Sequence, residues 1–168
     1  MWWEVVIFHS FHRVFHSPSK TKGKEVTASM LYGRFEHNID AKGRLFVPAK
    51  LRDKLGVAFI AAAVMDHCVC LYSAEEWDKL MNGLSEMPMT KARKLQRYLS
   101  ANAVDVQSDS QGRILLPKHL LEYAGLEKEA LVIGAGNRAE IWNPAAYAEN
   151  MDDMTSEEVE AEFTELGF

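Results

Sequence analysis

Two nine-residue stretches of the sequence are near copies of one another: Asp40-Ala-Lys-Gly-Arg-Leu-Phe-Val-Pro48 and, 69 residues later, Asp109-Ser-Gln-Gly-Arg-Ile-Leu-Leu-Pro117. Aligned over residues 40–57 and 109–126, the two regions share six identities in eighteen positions. Average residue usage predicts about one identity over such a length. Where the strand residues differ, an apolar residue replaces an apolar residue. One structural unit therefore occurs twice in the chain.

Each copy begins with the pattern of a strand, a turn, a second strand and a short helix. Phe35, His37 and Ile39 alternate with polar residues, as in a half-buried strand. The aspartate and glycine of the motif occupy the first and fourth positions of a type I turn, which predicts a hairpin. The proline then ends the second strand and opens a helix of about two turns, closed by Gly56 or Gly125.

Two further strands are predicted after the short helix of each copy. They span residues 57–72 in the first copy and residues 131–142 in the second, where a turn is expected over residues 134–137. Neither copy alone has enough strand to close a core. We therefore expect a mixed β fold with short helices, in which the two copies interleave into one pseudo-symmetric barrel.

The regions outside the two copies differ from them in composition. Between the copies we expect a helix with Thr90 as its N-cap and Ala92, Leu95 and Leu99 on its buried face. The expected organisation has five segments: a leader over 1–29, either disordered or an upstream start-site extension, the first copy over 34–78, a helical connector over 79–101, the second copy over 104–148, and an acidic tail over 149–168.

Length and charge exclude some classes of protein and leave others open. The 168 residues are 48% hydrophobic and include two cysteines one residue apart, which excludes a disulfide-dense secreted scaffold and favours the cytosol. The net charge of −5 argues at first against nucleic acid as a partner. However, the tail holds eight acids and no lysine or arginine, whereas residues 42–54 carry a local charge of +4 and residues 91–97 carry four basic residues.

The paired motifs resemble those of the MraZ family, built from two SpoVT/AbrB-like domains. The resemblance lies in four stretches and covers roughly residues 30–150: Met30-Leu-Tyr-Gly33, the two Asp-x-x-Gly-Arg motifs at 40–44 and 109–113, Pro48-Ala-Lys-Leu-Arg52, and Arg138-Ala-Glu-Ile-Trp142. Two such motifs at the expected separation form a more specific signal than one short match. Residues 1–29 lie outside the resemblance.

The resemblance implies a double-split β-barrel of the AbrB type and a ring of about eight or more subunits. It also implies sequence-specific binding to double-stranded DNA and repression of the division and cell-wall gene cluster, including the protein's own operon. A ring presents neighbouring subunits head to tail, which predicts direct repeats in the operator. The expected location is the cytoplasm, in association with the nucleoid, with no membrane partner, no cofactor and no small-molecule substrate.

Arg44 is the strongest candidate for reading DNA, since it follows a glycine turn at the start of a strand and could offer its guanidinium to guanine. The alternative for Arg44 is a salt bridge to Asp40 across its own turn. For Arg113 the sequence leaves two roles open, contact with DNA and a structural role. The predicted DNA-binding set is Arg44, Lys42, Gly43, Arg113, Arg34 and Arg52, and the predicted turn-structural set is Asp40, Asp109 and Gly112.

Two other classes of function are alternatives to DNA binding. An enzyme or a metal site would have to use His67, Cys68 and Cys70, but a zinc site needs further ligands and a cysteine nucleophile needs a positioned base. We therefore expect no enzyme activity and no metal. The histidines at 9, 12 and 16 share a possible helix face but lack a completing carboxylate. The other alternative is an AbrB-fold antitoxin-like or transition-state regulator that binds a protein partner.

Overall fold

The computed structural model describes residues 30–167, so the expectation for the leader over 1–29 lies outside the described residues. The first copy forms four strands and one short helix, in an order that follows the predicted pattern. These elements are β1 (Leu31–Asn38), β2 (Arg44–Phe46), α1 (Ala49–Leu55), β3 (Ala58–Ala63) and β4 (Val69–Ser73). Asp66 and His67, with φ of 56° and 52°, form the turn between β3 and β4.

The second copy repeats this order after two connecting helices. The connecting elements are α2 (Ala74–Gly83), a 3-10 turn (Leu84–Glu86) and α3 (Met89–Ala101). The elements of the second copy are β5 (Ala103–Gln107), β6 (Arg113–Leu115), α4 (Lys118–Tyr123), β7 (Glu129–Gly136) and β8 (Arg138–Trp142), followed by α5 (Pro144–Asn150) and α6 (Ser156–Glu165). Within residues 30–167, none of these helices combines the length and apolar character needed to span a bilayer. The expected β-rich fold with short helices is confirmed.

The two copies interleave through strand pairing. The larger sheet has the order β1-β7-β8-β4-β3-β5, and the smaller one pairs β2 with β6. Exchanging each strand for its counterpart in the other copy reads the six-strand order backwards, so the pairing pattern is symmetric. The expected hairpins are therefore reduced to tight turns, because the strand after each turn leaves to pair with the other copy. In the first copy, one isolated bridge between Ile39 and Leu45 remains.

The main core lies between the two sheets and the short helices, and it uses equivalent residues of both copies. Leu45 and Leu51 are fully buried, and so are their counterparts Ile114 and Leu120. All four belong to one cluster of buried residues. Since deleting such a side chain from a core typically costs about 2–5 kcal/mol, this shared packing holds the two copies together.

Three local expectations are wrong. Thr90 is not an N-cap, because α3 begins directly after Pro88, whose ring fixes φ near the helical value. Leu95 is 39% exposed, since the buried side of α3 is centred on Ala92 and Leu99. The predicted turn over residues 134–137 is shorter, because β7 continues to Gly136 and Ala135 still pairs with Arg138.

Gly134 serves close strand approach rather than a turn. It pairs with Gly33 of β1. A Cβ atom at position 134 would stand 2.3 Å from the backbone nitrogen of Tyr32, so only glycine allows this approach without a shift of the backbone.

Candidate nucleic-acid interface

The two-stranded ribbon of β2 and β6 places the two motifs side by side. In its antiparallel register Arg44 lies opposite Leu115, and Phe46 lies opposite Arg113. The central pair, Leu45 and Ile114, is fully buried. Because side chains alternate along a strand, the remaining four all project from the other face of the ribbon. On that face Phe46 is 36% exposed and Leu115 is 59% exposed.

The turn before β2 is held by the aspartate that begins it. The Oδ1 atom of Asp40 accepts hydrogen bonds from the backbone N–H groups of Lys42 and Arg44, at 2.9 Å and 3.0 Å. The carbonyl of Asp40 accepts from the N–H of Gly43 at 2.9 Å. Gly43 has a φ of +78°, a backbone conformation that glycine adopts without the steric cost of a Cβ atom.

The turn before β6 has the same construction. The Oδ1 atom of Asp109 accepts from the N–H groups of Gln111 and Arg113, each at 2.9 Å. The N–H of Gly112 donates to the carbonyl of Asp109 at 2.9 Å, and the φ of Gly112 is +79°. Both turns therefore start their arginine-bearing strands from the same backbone geometry.

The two arginines differ in how many of their donors the aspartate occupies. Arg44 donates only from Nε, to Oδ2 of Asp40 at 2.6 Å. Arg113 donates from both Nε and Nη2, to Oδ2 of Asp109 at 2.9 Å and 2.7 Å. Among residues 30–167, no hydrogen-bond partner faces the two terminal nitrogens of Arg44. The salt bridge to Asp40 that is the alternative for Arg44 is present, and it leaves both terminal nitrogens available.

Both aspartates are stabilised in the ionised form. The backbone N–H of Arg44, with its guanidinium and the N–H of Lys42, lowers the pKa of Asp40. The Arg113 side chain is the largest cause that lowers the pKa of Asp109, to about 2. A carboxylate that stays ionised keeps its arginine oriented, which reduces the entropy lost when that arginine binds a ligand.

Each turn is also braced by the other copy. The carbonyl of Gly43 accepts from the N–H of Leu116, and the carbonyl of Gly112 accepts from the N–H of Val47, each at 3.0 Å. Arg52 of α1 lies over the second turn, where a Cβ atom on Gly112 would stand 2.8 Å from its Cζ atom. The two turns therefore form one rigid unit with the ribbon.

Arg52 and Arg34 are less available than the sequence predicts. The Nε atom of Arg52 donates to the carbonyl of Val47 at 2.9 Å, and its guanidinium lies 5.9 Å from the ring centre of Phe46. Arg34 lies on β1 in the six-stranded sheet, with Glu36 at 3.7 Å and the ring centre of Tyr147 at 5.5 Å. Its contacts do not reach the paired turns. The structure thus brings together Arg44, Lys42, Gly43, Arg113 and Arg52 on the ribbon and its turns, but not Arg34.

Sequence analysis missed the two apolar members of the exposed ribbon face, Phe46 and Leu115. The period-two pattern of a strand was the available signal, because a buried Leu45 implies an outward Phe46. The ring of Phe46 packs edge-on against the imidazole of His37, with 5.1 Å between the ring centres. The Nε2 atom of His37 is buried and has no hydrogen-bond partner, and burial lowers the pKa of His37.

The cysteine pair lies in a second, smaller core. The sulfur atoms of Cys68 and Cys70 are 3.8 Å apart, and the hydrogen bond to Cys70 together with burial raises the pKa of Cys68. Glu140, which sequence analysis did not associate with them, brings a carboxylate oxygen within 4.8 Å. Its oxygens already accept from Arg138 at 2.7 Å and 2.6 Å and from Nε1 of Trp142 at 3.0 Å. The carboxylate is therefore satisfied by protein donors.

Comparison with known proteins agrees with this arrangement of two copies. The family described as "MraZ protein, putative antitoxin-like" matches the chain twice, over residues 30–97 and 99–166. A "Transcriptional regulator MraZ" from Thermoanaerobacter sp. (strain X514) is 42% identical over 141 residues, which cover 82% of this chain and 99% of that protein.

Relatives from other bacteria carry the same name. The protein of Heliobacterium modesticaldum is 48% identical over 116 residues, covering 68% of this chain and 81% of the relative. The protein of Acetivibrio thermocellus is 40% identical over 142 residues, covering 82% and 99%. The repeated motif, the interleaved copies and these matches lead to one conclusion: the chain belongs to the MraZ family.

Proposed function

We propose that this protein is a transcriptional regulator that binds double-stranded DNA with the exposed face of the β2–β6 ribbon. The observation that carries the proposal is the pair of free terminal nitrogens on Arg44, on a ribbon held by both copies. The major groove of B-DNA admits a two-stranded ribbon, and an arginine can donate two hydrogen bonds to O6 and N7 of guanine there. The names of the relatives support a role in transcription.

The other groups on this surface have supporting roles in the proposal. Lys42, exposed at the tip of the first turn, is placed to meet a phosphate. Phe46 and Leu115 offer apolar contacts, of the kind that distinguish the methyl group of thymine. Arg113 retains fewer free donors than Arg44, so we assign it a smaller part in base recognition.

The finer expectations from the family resemblance form part of the same proposal. They comprise the double-split barrel, a ring of about eight or more subunits, and an operator of direct repeats, since head-to-tail subunits present one reading surface in one direction. We further propose repression of the division and cell-wall gene cluster, including the protein's own operon, in the cytoplasm at the nucleoid. Several weak modules on one ring raise each other's effective concentration, which offsets the overall negative charge.

A gel-shift experiment with the promoter of the protein's own operon tests the role of Arg44. We expect Arg44→Ala to raise the apparent Kd by at least about tenfold, because a bidentate contact to guanine contributes about 1–3 kcal/mol in each subunit that uses it. Arg97→Ala is the matched control, since Arg97 is also an exposed arginine but lies on α3. Equal binding by wild type and Arg44→Ala would overturn the assignment.

A protein-binding role remains the second candidate, because the matching family is described as antitoxin-like. The gene neighbourhood separates the two. An adjacent toxin gene would favour a protein partner, whereas adjacent division genes would favour the regulator. The names of the relatives, by contrast, describe transcriptional regulators.

A further inference from the structure

The centre of the six-stranded sheet holds a buried polar cluster that plays no part in the proposed function. The strands β4 and β8 pair there, and Cys70 lies directly opposite Glu140 in their register. On either side of this pair, the register is unchanged when the two copies are exchanged at an offset of 70 residues. Cys70 and Glu140 are therefore counterparts, and they meet at the pseudo-two-fold axis between the copies.

The same offset relates two pairs of side chains around this axis. Cys68 and Cys70 of the first copy are the counterparts of Arg138 and Glu140 of the second. In the second copy the pair is ionic, since Nε and Nη2 of Arg138 lie 2.7 Å and 2.6 Å from Oε1 of Glu140. In the first copy the pair consists of two thiols with sulfur atoms 3.8 Å apart. Where one copy has two opposite charges, the other thus has two ligands of the kind that soft metal ions prefer.

The two sulfurs and the carboxylate form a candidate set of metal ligands. Among residues 30–167, Cys68, Cys70 and Glu140 are the one group of three or more cysteine, histidine or acidic side chains whose ligand atoms all lie within 4.8 Å of one another. All three residues are buried. The described residues give Oε2 of Glu140 one hydrogen bond, from Nε1 of Trp142 at 3.0 Å. A carboxylate oxygen has two lone pairs, so Oε2 keeps one for a cation.

The distance between the two sulfurs fits a zinc ion. A zinc–sulfur bond is about 2.3 Å long, so a cation bound to both sulfurs at their separation of 3.8 Å would have a sulfur–cation–sulfur angle of about 110°. This is the angle of a tetrahedral site. A zinc–carboxylate bond is about 2.0–2.2 Å long, so the carboxylate of Glu140 has to approach the sulfurs when the cation enters.

The charges at the cluster balance around a divalent cation. Binding releases one proton from each thiol, so the two thiolates and the Glu140 carboxylate together carry three negative charges. A divalent cation and the Arg138 guanidinium carry three positive charges. Since an unbalanced charge is costly to bury, this neutrality favours a divalent cation over a monovalent one, which would leave one negative charge in excess.

We propose that Cys68, Cys70 and Glu140 bind a thiophilic divalent cation, Zn²⁺, at the axis between the two copies. The cation joins β4 of the first copy to β8 of the second and so cross-links the sheet at its centre. Arg138 and Trp142 orient the carboxylate, as the hydrogen-bond partners of ligands do in zinc sites. A water molecule takes the fourth position of the tetrahedron. The sequence predicts no metal, because it does not show that β8 brings a carboxylate to the cysteine pair.

Cobalt substitution in the full-length protein tests the site, because the chain has only two cysteines. The protein is unfolded in urea with a chelator and a phosphine reductant, freed of the chelator, and refolded with equimolar Co²⁺. We expect a near-ultraviolet absorption band from charge transfer between thiolate and cobalt, and equimolar Zn²⁺ should abolish it. Histidines cannot produce this band, so a cation held by the histidines at 9, 12 and 16 is distinguished from one held by the cysteines.

Three variants separate the ligands from their surroundings. Cys70→Val should keep the fold, since a buried cysteine behaves as a small apolar residue. Trp142→Phe keeps all three ligands but loses the hydrogen bond to Glu140, so it should weaken Zn²⁺ binding by about 10–100-fold, and Cys70→Val should weaken it further. Val69→Ala is the matched control, because Val69 is buried between the cysteines in sequence but packs in the main core. It should lower stability and keep the band.

Zinc should also stabilise the folded protein, since a cation that binds only the folded state opposes unfolding. The urea midpoint of wild type should rise with the concentration of free Zn²⁺, and that of Cys70→Val should not. Absence of the thiolate band in wild type would overturn the site. A band with an unchanged or lowered urea midpoint would overturn it too, because the cation would then bind the cysteines of the unfolded chain equally well.

The result is independent of the reading of DNA by Arg44. Arg44 lies on the two-stranded ribbon, whereas the cysteines belong to the six-stranded sheet and its preceding turn. Arg44→Ala should therefore bind Zn²⁺ like wild type, whatever its affinity for the operator.

Discussion

The guanidinium of Arg52 lies directly against Gly112, so a side chain from the helix of one copy covers the turn of the other. A Cβ atom at position 112 would stand 2.8 Å from both Cζ and Nη2 of Arg52. By the repeat offset the counterpart of Arg52 is Leu121, and its Cδ1 atom would lie 3.3 Å from a Cβ atom on Gly43. In both copies, therefore, a side chain from the short helix of one copy covers the turn of the other copy.

This contact predicts the effect of Gly112→Ala. We expect a loss of more than about 1 kcal/mol in the free energy of unfolding, since an L residue at this positive φ costs about 1–2 kcal/mol before any steric term. Gly125→Ala is the matched control, because the φ of Gly125 is +56° but no atom lies within 4 Å of its built Cβ. Urea denaturation measures both variants.

The steric part of that loss can be isolated with a double variant. If Arg52 causes the clash, adding Arg52→Ala to Gly112→Ala costs less than the sum of the two single losses. Additive losses would show instead that backbone strain alone accounts for the effect. Retention of full stability by Gly112→Ala would contradict both causes.

The Asp109 carboxylate predicts a specific contribution to acid unfolding. Its pKa in the folded protein is about 2, against 3.8 for the free side chain, so the folded state binds fewer protons than the unfolded state in that interval. The stability it adds is present above pH 3.8 and is lost as the pH falls towards 2. Asp109→Asn should therefore be less stable than wild type near pH 6 and approach it near pH 2. A constant difference across this window, measured by urea denaturation, would contradict the prediction.

The buried hydrogen bonds of Glu140 to Arg138 and Trp142 predict a structural role for this carboxylate. Glu140→Gln should lower the free energy of unfolding by about 1–3 kcal/mol, since it removes the acceptor charge beside Arg138 and leaves donors imperfectly paired. A paired replacement, Arg138→Met with Glu140→Met, should recover part of the loss, because removing both charges leaves neither one unpaired. If the double variant loses as much stability as Glu140→Gln or more, the hydrogen bonds between Arg138 and Glu140 stabilise the fold more than apolar packing at these positions does.

His37 predicts a loss of stability in mild acid. Burial lowers its pKa below 6.5, so the unfolded state takes up the proton more readily. The stability due to the neutral imidazole is present above pH 6.5 and is lost as the pH falls through the pKa of the folded state. His37→Phe should remove this dependence below pH 6.5, as seen in the urea midpoint. If the urea midpoint of the variant depends on pH as steeply as that of wild type, another titrating group causes the dependence.

Much of the fold could be predicted because the repeat identifies which residues share a structural role. The buried Leu45 and Ile114 follow from alternation, and the aspartate and glycine of each turn follow from local turn chemistry. The pairing of β2 with β6 could not be predicted locally, since it depends on which distant strand completes each edge.

Predictions for individual residues are wrong for similar physical reasons. The sequence predicts a turn at Gly134 because glycine permits both turns and close strand approach, and only the neighbouring strand distinguishes them. The sequence groups Leu95 with the buried Ala92 and Leu99 because apolar spacing does not reveal how wide the buried side of a helix is. The proximity of Glu140 to Cys68 and Cys70 does not follow from the sequence, because β8 reaches β4 only through the folded sheet.

The order of strands in the larger sheet is unchanged when the two copies are exchanged. This symmetry bears on how far the sequences of the two copies can differ. A chain with one copy could complete the same sheet by exchanging strands with an identical chain, but its two turns would then be chemically equal. A single gene that encodes both copies releases them from that identity. The first turn has Ala41 and Lys42 where the second has Ser110 and Gln111, and only the second aspartate accepts hydrogen bonds from two guanidinium nitrogens of its arginine. Because both copies lie in one chain, the two turns can carry different side chains while they keep the same backbone geometry.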